Sequence, residues 1–151
     1  MIKKKFGEND YTGMTYTDIQ YDYKIIKDSV YINIKAVFNT RLSWLNASDT
    51  TLSGLKHEQG HFDICEIMAR QMRRDFYEGF SIKSSNYYYK NLKNLRRKYV
   101  TKLNKLNKLY DKETNHGINK SKQLEWESTI IPKMLIQNEG YENAMILITK
   151  S

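Results

Sequence analysis

The 151-residue chain contains only one cysteine and one proline, so it has few residues that cross-link a small domain or interrupt its helices and strands. The single cysteine, Cys65, excludes an internal disulfide and a zinc site built from cysteines, and it leaves the redox compartment open. No apolar run approaches the length of a membrane span. The first residues are basic but no apolar segment follows them, so we expect no signal peptide in this sequence.

The charge is unbalanced, with 25 lysines and arginines against 17 acidic residues and a formal net charge of +8. A nucleic-acid-binding module would group basic residues with aromatic stacking platforms. Here the lysines and arginines are spread over the N-terminus and one long predicted helix, so we expect no specific nucleic-acid partner. The length indicates a single domain over residues 1–151, and the oligomeric state stays open.

Only three histidines occur, and two of them form an H-E-x-x-H motif, His57-Glu58-Gln59-Gly60-His61. The motif lies within residues 52–80, a stretch of helical periodicity, and we expect Ser48 or Asp49 to cap this helix. Side chains four residues apart share one face of a helix, so both imidazoles can reach one Zn²⁺. Glu58 is then placed to handle the proton of a metal-bound water.

The same helix face is apolar beyond the motif. At about 100° per residue, the two histidines share it with Ile64, Cys65, Met68, Met72 and Phe76. An unpaired imidazole would be costly there, whereas a metal ion would satisfy both histidines. Gly60 weakens the middle of the helix by roughly 1 kcal/mol relative to alanine, which predicts a close approach of backbone or substrate at that position. We expect Cys65 to be a small buried apolar residue rather than a ligand.

A catalytic zinc site takes three protein ligands and keeps one position open. Asp63 and Glu66 point away from the histidine face, and no histidine stands at the spacing of the metzincins. The third ligand must come from elsewhere, and we favour His116, in a polar segment beside Gly117. Asp111 and Glu113 are its competitors.

The rest of the chain predicts mixed secondary structure. Alternating residues from Thr15 to Phe38, with a turn at Lys27-Asp28-Ser29, indicate a hairpin with one buried face. A stripe of apolar residues three and four apart predicts a second helix over Asn86 to Tyr110, followed by a polar turn to Gly117. A third helix from Asn119 should end near Pro132. Asn143 to Thr149 fits a closing strand.

Several blocks together resemble one bacterial family. The blocks are Phe38 to Trp44 (FNTRLSW), Leu55 to Ile64 (LKHEQGHFDI), and Y-D-x-x-T-x-H-G from Tyr110 to Gly117, followed by Gln123 and Trp126. They are similar to the DUF922 family, a group of predicted secreted zinc-dependent proteases. The resemblance implies peptidase chemistry, and a secreted or periplasmic protein, although the N-terminus shows no leader.

These observations predict an α+β, zincin-like fold, in which a small antiparallel sheet packs on the active-site helix with further helices. The predicted function is hydrolysis of a peptide or protein substrate, with Zn²⁺ held by His57, His61 and His116 and with Glu58 as general base. The edge of the strand from Val30 to Phe38 is a candidate for pairing with an extended substrate. The alternative is a zinc-stabilised binding or scaffold protein that cleaves nothing, although such a protein has no need of Glu58.

Overall fold

The computed structural model describes residues 13–45, 51–79 and 85–149. Over these residues the elements follow in the order β1 (Gly13–Met14), β2 (Thr17–Ile26), β3 (Ser29–Phe38), β4 (Trp44–Leu45), α1 (Leu52–Glu78), α2 (Ser85–Thr114), α3 (Lys120–Glu125), a π-helix (Trp126–Ile130), α4 (Ile131–Ile136) and β5 (Met145–Thr149). The fold is α+β, with a small three-stranded antiparallel sheet and three helical segments, α1, α2 and the continuous run from α3 to α4.

The predicted hairpin is confirmed. β2 and β3 pair in antiparallel register along their whole lengths, from Thr17 opposite Phe38 to Ile26 opposite Ser29, around a turn at Lys27 and Asp28. The face turned to the helices carries apolar side chains because these alternate along each strand. The fully buried or nearly buried members are Ile19, Val30, Ile32 and Ile34.

The predicted closing strand is also present, as β5, and it changes the interpretation of β3. The sheet order is β2-β3-β5, so β3 is its central strand. β5 pairs with β3 from Ser29 to Asn33. The prediction that β3 offers an edge to substrate is therefore wrong for this half of the strand, because both of its edges are already paired.

Helix α1 buries the face that the periodicity predicted. Its buried residues are His57, Gly60, His61, Ile64, Cys65, Ile67, Met68, Ala69, Met72, Arg73 and Phe76. The helix begins later than a cap at Ser48 or Asp49 would require, and those two residues lie outside the described part. The N-cap is instead Thr51, whose hydroxyl accepts a hydrogen bond from the Gly54 amide at 3.2 Å. Cys65 is buried, as expected, and burial raises the pKa of its thiol to about 12.

A buried arginine ties α1 to the sheet. The Arg73 guanidinium donates to the carbonyl of Ile34 on β3 at 2.8 Å and to the carbonyl of Tyr141, just before β5, at 2.8 Å. It also pairs with Glu66 on its own helix at 2.9 Å. A buried charge needs such partners, so this cluster fixes how α1 lies on β3.

Helix α2 is longer than predicted. The apolar stripe is confirmed, with Leu92, Tyr99, Leu103 and Tyr110 buried. The helix, however, continues through Thr114, and the turn covers only residues 115–118. The Thr114 hydroxyl donates to the carbonyl of Tyr110 at 2.7 Å, which keeps this polar residue inside the last helical turn. Asp111 therefore lies on a helix and not in a loop.

The third helical region is irregular. Pro132 was predicted to end it, but the chain passes from α3 through a π-helix into α4, and Pro132 lies in the first turn of α4. Proline has no amide hydrogen to donate, and the first turn of a helix does not require one, so the residue is accommodated where the hydrogen-bond pattern changes. Within the described residues, no helix is long and apolar enough to cross a membrane.

Candidate metal centre

Three side chains from two helices meet at one point between α1 and α2. Nε2 of His57 lies 3.2 Å from Oδ1 of Asp111, and Nε2 of His61 lies 3.0 Å from the same oxygen. The potential ligand atoms of these three residues all lie within 4.8 Å of one another. The two histidines are buried and Asp111 is partly buried. The two histidines share one face of α1 because they are four residues apart. Asp111 reaches them from the last turn of α2.

His116 lies next to this group but is not a member of it. Its Nδ1 atom is 3.6 Å from Oδ1 of Asp111, and its side chain is 40% exposed. His116 and Asn115 both have positive φ, as does Gly117. Glu113, the other acidic competitor, accepts a hydrogen bond from the indole of Trp126 at 2.8 Å and is not part of the group. The assignment of His116 as third ligand stays a prediction, and Asp111 is the competitor whose ligand atom is grouped with those of both motif histidines.

Gln123 fixes the tautomer of His57. Nε2 of Gln123 donates to the Tyr110 hydroxyl at 2.8 Å and to a carboxylate oxygen of Glu127 at 2.9 Å. The amide oxygen is therefore turned toward His57, where it lies 3.0 Å from Nδ1. Nδ1 of His57 must carry the hydrogen that this oxygen accepts, so the lone pair of the neutral ring is on Nε2.

Asn107 does the same for His61. Its amide oxygen lies 3.0 Å from Nδ1 of His61 and accepts that hydrogen. Two Nε2 lone pairs and the carboxylate oxygen of Asp111 then face one another at about hydrogen-bond distance. Three electron-rich atoms repel at such distances unless a cation, either a proton or a metal ion, lies among them.

The pKa shifts of His61 and Asp111 agree with this need for a positive charge among the three atoms. Burial lowers the pKa of His61, but hydrogen bonds to Asp111 and Asn107, together with the negative charges of Asp111 and Glu58, outweigh burial and leave that pKa above its ordinary value. Burial raises the pKa of Asp111, but the hydrogen bonds with His57 and His61 and the charge of His61 hold it well below its usual range. The carboxylate is therefore charged, and a proton or metal ion at the histidines is stabilised by it.

Two glycines allow this packing. A Cβ at Gly60 would lie 2.7 Å from Cζ of Tyr110 and closer still to its hydroxyl oxygen. The predicted close approach is therefore real, but the approaching group is a side chain rather than backbone or substrate. At Gly117, φ is +81° and a Cβ would lie 3.1 Å from Cβ and Cγ of His57, so the loop can pass close to that ring.

Glu58 points to the open side of the group. It lines a cavity of about 310 Å³ together with His57, His61, Asn107, Asp111 and His116. Its Oε2 atom is buried and has no hydrogen-bond partner among the described residues. A buried carboxylate oxygen without a partner is costly, and it is free to accept a hydrogen bond from a molecule in the cavity.

The sequence interpretation missed the residues that orient the histidines. Asn107 was not singled out, although it stands four residues before Asp111 and therefore on the same face of α2. Gln123 was not predicted to contact a histidine, because its role depends on a contact with His57 across 66 positions of sequence. Tyr110 appeared in the apolar stripe, where its stacking on the His57 ring, with 4.6 Å between centroids, could not be foreseen.

Comparison with known proteins identifies a family. Residues 2–117 match the profile of DUF922, described as a bacterial protein of unknown function. The chain belongs to this family. The DUF922 match includes the motif histidines, Asp111 and His116, whereas Gln123 lies beyond it. No curated protein and no solved structure matches the chain.

Proposed function

We propose that this DUF922 protein is a zinc-dependent peptidase of zincin-like architecture that hydrolyses peptide bonds in a secreted or periplasmic setting. One observation carries the proposal. The amides of Gln123 and Asn107 direct the Nε2 lone pairs of His57 and His61 at the carboxylate of Asp111, a convergence that a divalent cation would stabilise.

The separations between Asp111 and the histidines are close to those of a zinc site. Nitrogen and oxygen ligands lie about 2.0–2.2 Å from Zn²⁺, so two ligands of a tetrahedral site are separated by roughly 3.3–3.6 Å. The separations from Oδ1 of Asp111 are 3.2 Å to His57, 3.0 Å to His61 and 3.6 Å to His116. We propose His57 and His61 as ligands, with a third from Asp111 or His116. Asp111 is favoured because its ligand atom is grouped with those of both motif histidines.

Glu58 is the proposed general base. A bound Zn²⁺ would lower the pKa of a water molecule and polarise the substrate carbonyl. The free Oε2 of Glu58 accepts the proton of the attacking water and then donates it to the leaving amine. Gln123 and Asn107 keep the histidine rings in one tautomer throughout.

The test is the substitution Glu58→Gln. It keeps the size of the side chain but removes its ability to take a proton. We expect zinc content and melting temperature to be unchanged, and cleavage of a diverse peptide library to fall by about 10²–10⁴-fold. The assay is mass spectrometry of the products, with chelator and added zinc as controls. Equal cleavage by wild type and Glu58→Gln would overturn the mechanism.

One distance supports a second candidate function, a zinc-stabilised scaffold. If Asp111 and His116 both bind zinc with the two motif histidines, four protein ligands close the site and no position remains for substrate. X-ray absorption at the zinc edge counts the ligands. Three protein ligands and a water molecule support the peptidase, whereas four protein ligands support the scaffold.

Substitutions then separate the two competitors. In a three-ligand site that uses Asp111, His116→Ala leaves zinc content near one per chain and Asp111→Ala lowers it severely. The reverse pattern supports His116 as third ligand. A severe loss in both variants supports the closed site.

A further inference from the structure

A second cavity, of about 360 Å³, adjoins the candidate metal centre. It lies where β1, β4 and the start of α1 come together, near the end of β3. Its wall is mainly apolar and includes Met14, Phe38, Trp44, Leu55 and Phe62. Glu58 is its one charged member among the described residues.

The two cavities share a wall. Met14, Thr15, Trp44 and Glu58 line both of them. Glu58 therefore stands at the boundary, with the histidine and Asp111 cluster on one side and the apolar wall on the other. A peptide whose carbonyl lies beside Glu58 has a neighbouring side chain within reach of the apolar cavity, because adjacent Cα atoms are only about 3.8 Å apart.

The apolar wall is incompletely covered by the protein itself. Met14 is 46% exposed, Phe38 is 40% exposed and Leu55 is 49% exposed. Grouped apolar surface of this kind marks a binding site more often than isolated exposed residues do. The volume is ample, since an engineered cavity of about 150 Å³ holds a benzene molecule.

We propose that this cavity binds a bulky apolar side chain, such as leucine or phenylalanine, beside the scissile bond of a peptide substrate. The inference rests on the proposed peptidase function and names its substrate class. The apolar wall favours a side chain that gains by leaving water. The Glu58 carboxylate at the boundary disfavours an aspartate or glutamate at that position, because two negative charges would be brought together.

The test measures binding, so that it does not depend on finding a substrate. The probes are hydroxamates, which bind zinc, with glycine, leucine, phenylalanine or aspartate side chains. One series carries the side chain next to the hydroxamate, and a succinyl series carries it one carbon further away. Calorimetry on protein saturated with one equivalent of Zn²⁺ gives each affinity. We expect the leucine and phenylalanine probes of at least one series to bind about 10-fold or more tightly than glycine, and the aspartate probe to bind more weakly than glycine.

Two leucines of α1 provide a matched pair of variants. Leu55 lines the cavity, whereas Leu52, 72% exposed on the same first turns of the helix, does not. Leu55→Glu introduces a charge into the apolar wall and should remove the preference for leucine and phenylalanine. Leu52→Glu introduces the same charge nearby and should keep the preference. Both substitutions replace exposed side chains, and thermal melts of the two variants verify that each is folded.

The outcomes distinguish failure of the pocket assignment from failure of the proposed peptidase function. If glycine hydroxamate binds and no larger apolar probe binds more tightly in either series, the pocket assignment is overturned and the zinc site stands. If Leu52→Glu loses the preference as fully as Leu55→Glu, the preference arises elsewhere and the assignment is again overturned. If no hydroxamate binds the zinc-treated protein, the proposed function fails and the inference fails with it.

Discussion

The ring of Tyr110 lies where a side chain at position 60 would be. A Cβ at Gly60 would be 2.7 Å from Cζ of that ring. The hydroxyl of Tyr110 donates to the carbonyl of His57 at 3.2 Å and accepts a hydrogen bond from Gln123. The missing side chain thus lets α2 approach α1 beside the candidate ligands, and it lets one tyrosine contact both the backbone and the ring of His57.

Gly60→Ala should therefore destabilise the protein. In an exposed helix interior this substitution stabilises by about 1 kcal/mol, because alanine has the better helix propensity. Here the added methyl group must displace Tyr110, and overpacking of this kind costs about 1–3 kcal/mol. Urea denaturation of wild type and variant gives the difference in the free energy of unfolding. An increase in stability would contradict the close contact.

Asn107→Ala should weaken zinc binding without removing a ligand. The amide oxygen of Asn107 holds the hydrogen on Nδ1 of His61, and loss of such a partner lowers metal affinity by about 10–100-fold. A competition titration with a chromophoric chelator measures the affinity. The matched control is Asn104→Ala, one turn earlier and exposed on the same helix, which should bind zinc as wild type does. Equal affinities in both variants would remove Asn107 from the site.

Asp75 should contribute a pH-dependent part of the stability. It accepts hydrogen bonds from Lys98 at 2.7 Å and from the Tyr99 hydroxyl at 2.5 Å. Burial raises the pKa of Asp75, but these hydrogen bonds and the Lys98 charge outweigh burial and lower it below the usual value. The folded state then binds fewer protons than the unfolded state. The contribution is present above the unfolded pKa, about 3.9, and is lost as pH falls through the folded pKa.

Asp75→Asn should accordingly lower the free energy of unfolding at neutral pH by about 1 kcal/mol and reduce its decline below about pH 4. Urea denaturation at a series of pH values gives both quantities. Asp22→Asn, on the exposed side of β2, is the control and should change stability by less than about 0.5 kcal/mol. A variant profile parallel to that of wild type would contradict the assignment.

The basic surface of α2 should bind nucleic acid only weakly. Its exposed lysines and arginines are interspersed along the helix, and Lys98 is paired with Asp75. Binding of this kind depends on counterion release, so it should disappear as salt rises from about 50 to 200 mM. Fluorescence anisotropy with labelled DNA and RNA measures it. Sub-micromolar, sequence-dependent binding near physiological salt would contradict the expectation.

Local pattern was sufficient to predict the hairpin and the two long helices. Ile32 and Ile34 alternate with polar residues at a period of two, and Ile64 and Met68 repeat at the spacing of a helix. The motif histidines share the buried face of α1 for the same reason. These features depend on neighbours within a few residues.

Features that depend on distant contacts could not be predicted. The polar residues from Asp111 to Thr114 favour a turn by composition, yet packing of Tyr110 on α1 and the hydroxyl of Thr114 keep them helical. Pro132 indicates a helix end, and only the preceding π-helix explains why the chain continues. His116 was preferred to Asp111 because the sequence predicts a loop at Asp111, and a loop leaves the direction of its side chain undefined. In the structure Asp111 lies on α2 and faces α1.

The candidate centre joins residues that are far apart in the chain, since His57 and Asp111 are separated by 54 positions. An ion bound there would hold α1 to α2 only while both are folded, so its binding free energy would add to the free energy of unfolding. At a free zinc concentration 100 times the dissociation constant, the addition is about 2.7 kcal/mol. On the proposed function, the melting temperature would follow the zinc supply of the surroundings, and a chelator would act on this protein as a mild denaturant.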